Sequence, residues 1–169
     1  MPVPPEVQMA LAEKMTRLAI PGRLAPPKNW HLTLRFLGMI DQVTYERFLS
    51  ALGVADIEPF DIGLGGIGAF PNVRRATVVW VAVETGIEGL ATLNEIAEEA
   101  AQSAGLAVEE RPFHPHLTLS RVRPPIDIRS LEGIPIELGW RCDRVVIYRS
   151  RTGRGGVRYE PLETLRLGV

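Results

Sequence analysis

The chain has 169 residues, 46% hydrophobic and 23% charged. That composition fits one globular domain with a sizeable core and excludes a disordered or fibrous chain. A net charge of −1 excludes the global basic field of a non-specific nucleic-acid binder. A single cysteine, Cys142, excludes an internal disulfide and a cysteine-rich zinc centre, and points to a packing role for that thiol. No stretch approaches the ~20 apolar residues of a membrane span. The opening Met1-Pro2-Val3-Pro4-Pro5 lacks the basic and apolar regions of a secretory signal, so the expected location is the cytoplasm.

Residues 5–19 place Val7, Leu11, Met15 and Leu18 at helical spacing behind two prolines, which suit a helix start. Pro21-Gly22 and Pro26-Pro27 break the chain. Residues 30–37 alternate strictly, Leu32, Leu34 and Phe36 against His31, Thr33 and Arg35. That pattern predicts a half-buried strand ended by Gly38. A helix is expected over 41–53, a Gly-rich strand over 60–68, a turn at Pro71-Asn72 and a strand over 76–84. Residues 87–104 read as the longest amphipathic helix, with Gly105 as its terminating glycine. Strands are expected at about 114–121, 134–140, 143–150 and 157–165. Several strands follow one another without a helix between them, which argues for an α+β fold with mainly antiparallel sheets. No phosphate-binding loop or dinucleotide Gly fingerprint occurs.

One tetrapeptide occurs twice. Residues 31–34 and 116–119 are both His-Leu-Thr-Leu, and together they use two of the three histidines. A lone strand histidine is usually a surface or packing residue; two identical segments half a chain apart suggest related lobes facing each other across a pseudo-twofold axis. In-line attack at phosphorus needs a base on one side and an acid on the other, and two imidazoles of reference pKa ~6.5 can supply both. The hydroxyls of Thr33 and Thr118 can donate to the non-bridging phosphate oxygens as charge develops there. No carboxylate stands at suggestive spacing beside either histidine, so no metal set is expected. Six arginines, Arg141, Arg144, Arg149, Arg151, Arg154 and Arg158, crowd residues 141–158. Such a cluster can hold an anionic substrate, although any single member is better read as a solvated side chain.

Two segments carry a family resemblance: Asn29-Trp30-His31-Leu32-Thr33-Leu34-Arg35-Phe36-Leu37-Gly38 and Phe113-His114-Pro115-His116-Leu117-Thr118-Leu119-Ser120-Arg121. Weaker matches are Phe70-Pro71 with Trp80, and Tyr148 to Ser150 through Gly155-Gly156 to Tyr159. The sequence resembles the 2H phosphoesterase superfamily and, within it, the RNA 2′,3′-cyclic phosphodiesterases, also called 2′-5′ RNA ligase-like proteins. The resemblance implies one bilobal α+β domain over residues 1–169, with two mainly antiparallel sheets around a central groove and helices on the outer faces. It implies no cofactor, His31 as proton donor, His116 as proton acceptor, and Arg121 as a phosphate ligand.

By strand parity His114 and Arg35 share a face with the motif residues, so both are candidate substrate contacts. Arg121 has the wrong parity and reaches the groove only with a bulge or a strand end nearby. Trp30 and Trp80 can stack on a base, with packing the better default. The expected partners are RNA 3′ ends or nucleotides bearing a cyclic phosphate, with no membrane and no obligatory protein partner. Alternatives are another cyclic phosphate, such as ADP-ribose 1″,2″-cyclic phosphate, and a non-catalytic RNA- or nucleotide-binding module. Relatives usually open with a short apolar strand before the first helix, and here the sequence opens at that helix. An uncovered apolar slot or an unpaired sheet edge is the expected consequence.

Overall fold

The computed structural model describes residues 1–153 and 156–168. Arg154 and Gly155, named above, lie outside the described residues, as does Val169. Among the described residues three α-helices accompany seven strands: α1 (Pro5–Arg17), β1 (Arg23–Leu24), α2 (Gln42–Ala51), β2 (Phe60–Phe70), β3 (Ala76–Thr85), α3 (Ile87–Ser103), β4 (His116–Ile126), β5 (Gly139–Cys142), β6 (Arg144–Gly153) and β7 (Gly156–Arg166). The larger sheet has the order β1-β4-β3-β2-β5, and β6 and β7 form a separate hairpin. Every neighbouring pair is antiparallel, which bears out the α+β reading.

The helices form where periodicity and capping agree. α1 carries proline in its first turn and buries Val7, Leu11 and Met15. α2 is capped by Asp41, whose carboxylate accepts from the Thr44 N–H at 2.8 Å. α3 buries Leu90, Leu93, Ala97, Ala100 and Ala101, and Gly105 follows it at a φ of 92°, the left-handed region that favours glycine. Together these faces and the strands' buried residues form one core cluster.

Three expectations need correction. Residues 30–37 do not form a continuous strand. Only His31 and Leu32 are bridged, His31 to Pro2 and Leu32 to Leu117; Phe36 is exposed. The expected strand over 134–140 is regular only from Gly139, with a single bridge from Pro135 to Gly66 upstream. β4 starts at His116 rather than at 114 and runs on to Ile126, while β1 carries no alternation long enough to announce it.

A cavity of about 660 Å³ lies between residues 31–42 and β6, with Val145, Ile147 and Tyr148 on one wall, Leu34 and Leu37 on the other, and Phe48, Leu52, Leu93 and Ala97 also lining it. Among the described residues β6 pairs only with β7, and residues 145–150 of β6 line this space together with Tyr159 and Leu162 of β7. Met1 stands at the cavity's margin. Its amino group is buried and donates to the Leu32 carbonyl at 2.6 Å. Burial pushes that amine down to about 5, against a small opposing effect of Cys142. Cys142 is itself buried, in keeping with a packing role.

Candidate active site

The two His-Leu-Thr-Leu segments meet directly. Leu32 and Leu117 are antiparallel partners, and both are buried. In an antiparallel pair, residues one step to either side of such a bridge face away from the two leucines and toward each other across the strands. His31 therefore lies opposite Thr118, Thr33 lies opposite His116, and the four side chains share one face. Directly opposed residues sit about 5 Å apart at Cβ and diagonal ones about 7–8 Å. The two imidazoles occupy a diagonal. A pseudo-twofold axis between the leucines relates one His-x-Thr to the other.

Both rings are held by the same local device. His31 Nδ1 lies 2.7 Å from the carbonyl oxygen of Asn29, and His116 Nδ1 lies 2.6 Å from that of His114. A carbonyl only accepts, so each Nδ1 carries the hydrogen and each Nε2 is left for chemistry. Burial pushes His31 down to about 4, against the Asn29 carbonyl and helped by the charges of the Met1 amine and of His116. Burial also lowers His116, against the His114 carbonyl and with help from His114 and Arg121. No hydrogen bond from the Thr33 or Thr118 hydroxyl forms among the described residues, so both are available to a ligand.

Aromatic rings complete the surroundings asymmetrically. His31 meets Tyr159 edge-on at 4.5 Å between centroids and Tyr148 at 5.8 Å. Phe70 meets His116 edge-on at 5.0 Å, and Trp80 lies 6.1 Å from it. Among the described residues no group of three or more His, Cys, Asp or Glu side chains is gathered closely enough to hold a metal ion.

The family model of the 2′-5′ RNA ligase superfamily matches residues 3–154, a span that includes both motifs. The chain belongs to that superfamily. It is 32% identical over 129 residues to the RNA 2′,3′-cyclic phosphodiesterase of Aeropyrum pernix, covering 76% of this chain and 73% of that one. It is 33% identical over 180 residues to the protein of the same name from Thermus thermophilus, covering 98% and 86%. A solved structure from Thermus thermophilus superposes with a TM-score of 0.85 at 28% identity, covering 98% of this chain and 94% of that one. Escherichia coli LigT complexed with 3′-AMP superposes with a TM-score of 0.79 at 27% identity, covering 98% and 93%.

Within this 2′-5′ RNA ligase-like fold, the remaining candidates fall into two groups. Arg121 is brought to the site. The register between β3 and β4 steps from Trp80↔Thr118 to Val79↔Ser120, so Leu119 is an extra residue in β4. A bulge of this kind reverses the alternation beyond it. Arg121, opposite Val78, thereby joins the face of His116 and Thr118, and its charge reaches His116. His114 is exposed, with its ring 6.0 Å from that of Trp80.

Arg35 is drawn elsewhere. Its Nε lies 2.5 Å from Glu98 Oε2 as an ion pair without hydrogen-bond geometry. Its terminal nitrogens donate to the carbonyls of Ala107 and Phe36, and its side chain is only 10% exposed. It ties the 31–37 segment to α3 and the chain beyond. Trp30 is buried in the core.

The arginine cluster also divides. Ser150 pairs with Tyr159, Arg151 with Arg158 and Arg149 with Glu160. Tyr148 and Tyr159 thus share one face of the hairpin, the face at His31, and Arg149, Arg151 and Arg158 take the other. Alternation along the hairpin sets these arginines on the face opposite the two tyrosines. The two tyrosines were not singled out as site residues in the sequence; only the hairpin register sets them on the His31 side.

Proposed function

We propose that this protein hydrolyses the 2′,3′-cyclic phosphate of RNA 3′ ends or nucleotides to a 2′-phosphate, by two-histidine acid–base catalysis without a metal. The observation that supports this reading is the Leu32–Leu117 bridge, which sets the two His-x-Thr segments side by side. Superfamily membership, and the name shared by the relatives above, supply the substrate class.

Water approaches phosphorus from the His116 side, and the neutral Nε2 of His116 takes its proton as the new P–O bond forms. The P–O3′ bond breaks on the far side, in line, and the protonated Nε2 of His31 gives its proton to the departing 3′-oxygen. One proton has then moved from His31 to His116, and solvent exchange restores the starting state. Thr33 and Thr118 donate to the non-bridging oxygens, and Arg121 offsets their charge. Burial leaves His31 a poor holder of a proton in the ligand-free site; the phosphodiester anion between the rings restores its affinity. The assignment of acid to His31 and base to His116, like that of the 2′-phosphate product, follows the family resemblance, since the pseudo-symmetry makes the two sites alike.

The test is a turnover screen in EDTA over 2′,3′-cyclic mononucleotides, RNA ending in a 2′,3′-cyclic phosphate, and ADP-ribose 1″,2″-cyclic phosphate. Turnover of the first two to 2′-phosphates is expected. Binding without turnover of any would leave a binding module, and activity lost to chelator and restored by metal would end the two-histidine mechanism. A 3′-phosphate product would keep the acid–base pair and reverse which ribose oxygen departs.

A further inference from the structure

The two sides of the pseudo-twofold differ most in what lies beyond the histidines. On the His31 side, Tyr148 and Tyr159 pack edge-on against each other, their planes at 72°, and close around the imidazole. On the His116 side the aromatic neighbours are Phe70 and Trp80. Trp80 stands opposite Gly68 of β2 and opposite Thr118 of β4, so its side chain shares the face of the catalytic strand.

The glycine is what lets the indole lie down. A Cβ placed on Gly68 would fall 2.3 Å from Trp80 Cη2 and 2.6 Å from both Cζ2 and Cζ3. An atom approaching a ring edge-on would be much nearer to one carbon than to its two neighbours. Near-equal distances to three consecutive carbons mean that it would sit above the ring plane. One face of the indole therefore rests on the backbone at Gly68, and the opposite face looks away from the sheet. Trp80 is half-buried, and its Nε1 is buried without a partner among the described residues. It offers a ligand a flat apolar face rather than a hydrogen bond. His114 stands perpendicular to it, with planes at 90° and centroids 6.0 Å apart, and brings a polar ring next to the indole. Phe70 is a third ring in this group, 5.2 Å from the indole.

We propose that the face of Trp80 turned away from Gly68 is the nucleobase platform of the site, with His114 beside the base edge. The proposal rests on the cyclic-phosphodiesterase reading and deepens it. Thr118, which would hold the phosphate, is a direct cross-strand neighbour of Trp80, about 5 Å away at Cβ, and the ribose bridges that interval. A flat ring face stacks on any base, so the site would hold nucleotides through the base's π-surface with little choice of its identity.

The experiment compares kcat/KM for 2′,3′-cyclic AMP with kcat/KM for methyl riboside 2,3-cyclic phosphate, which has no base. In the wild-type protein the nucleotide is preferred. In Trp80→Leu that preference is expected to fall about 10- to 100-fold, through KM rather than kcat, the scale of one base–aromatic stack. Trp80→Phe should recover most of it. An unchanged preference in Trp80→Leu would overturn the platform, and so would an equal loss on both substrates, because that marks a purely structural role.

A second measurement does not depend on turnover. 2′-AMP, but not ribose 2-phosphate, should quench tryptophan fluorescence in the wild-type protein, and the quench should disappear in Trp80→Phe. If the wild-type protein hydrolyses neither cyclic phosphate, the phosphodiesterase reading falls while this titration still decides the platform. No quench by 2′-AMP overturns it.

Discussion

His31 and His116 owe their positions to a repeated local device: a bridged leucine, a carbonyl two residues upstream on Nδ1, and a hydroxyl two residues downstream. Each alone should matter. His31→Ala and His116→Ala are expected to lower kcat by roughly 10²–10⁴-fold, the scale of one general acid or base. Thr33→Ala and Thr118→Ala should cost less, about 10–10³-fold, through loss of one donor to the phosphoryl oxygens. A substrate carrying sulfur in place of the bridging 3′-oxygen separates the two roles. Its leaving group needs no proton, so it should rescue His31→Ala and not His116→Ala. Rescue of His116→Ala alone would exchange the assignments.

The imidazoles also predict a pH profile. One must be neutral and the other protonated, and burial lowers both below 6.5, His31 to about 4. The kcat/KM bell, which reports the free protein, should therefore peak below pH 6.5. The kcat bell should lie higher, because the bound anion favours the charged ring. A kcat/KM maximum above pH 7 would contradict the burial of both groups. This pair was legible in the sequence because identical tetrapeptides at matching strand positions are hard to produce by packing alone. Tyr148 and Tyr159 surfaced only as weak family matches; their place beside His31 was not legible, since a residue over 100 positions away announces its neighbour only through a hairpin register that composition does not encode.

At the scale of elements, alternation predicts the face of a residue only as long as the ladder is regular. It succeeded for His31 and Thr33 within two residues of a bridge. It failed for Arg35, beyond the last paired residue, where the chain leaves the sheet and the guanidinium turns to Glu98. For Arg121 it needed the irregularity that β4 supplies at Leu119. These two arginines should consequently separate in experiment. Arg121→Ala should raise KM for cyclic phosphates with little change in melting temperature. Arg35→Ala should destabilise the fold by on the order of 3 kcal/mol, the scale for stranding one member of a largely buried ion pair, with KM nearly unchanged. Thermal melts and steady-state kinetics on both variants check this. A rise in KM for Arg35→Ala without a drop in melting temperature would restore Arg35 as a substrate contact.

At the scale of the whole molecule, the two halves are unequally built. The half carrying His116 rests in a five-stranded sheet, whereas the half carrying His31 depends on two bridged residues, a hairpin and a cavity between them. The bilobal plan was readable from the repeat. The lopsided pairing was not, because strand alternation says which face is buried and nothing about whether both edges find partners.

The register beside the cavity makes a specific expectation. Pro2 pairs with His31, and Met1 and Leu32 exchange backbone hydrogen bonds. Each residue added before Met1 would fall opposite the next one after Leu32. Five added residues would reach Leu37, spanning about 17 Å at ~3.4 Å each, between that segment and β6. An alternating apolar extension of that length should fill the cavity, reduce binding of a hydrophobic dye and raise the melting temperature, with each kcal/mol gained appearing as about 2–4 °C.

The same extension should change how stability depends on pH. The folded amine of Met1 is lowered from 8.0 to about 5, so between those values the unfolded chain binds more protons than the folded one. Stability therefore rises with pH across this window and is lost as pH falls through it, with a slope of at most about 1.4 kcal/mol per pH unit from this group. Above pH 6.5 both imidazoles are mostly neutral in either state, so from pH 7 to 8 the slope belongs mainly to the amine. Denaturant melts over that interval should show the rise in the present chain and a nearly flat line in the extended one, whose amine is carried out of the buried site. A slope that persists after extension would place its origin elsewhere than at Met1.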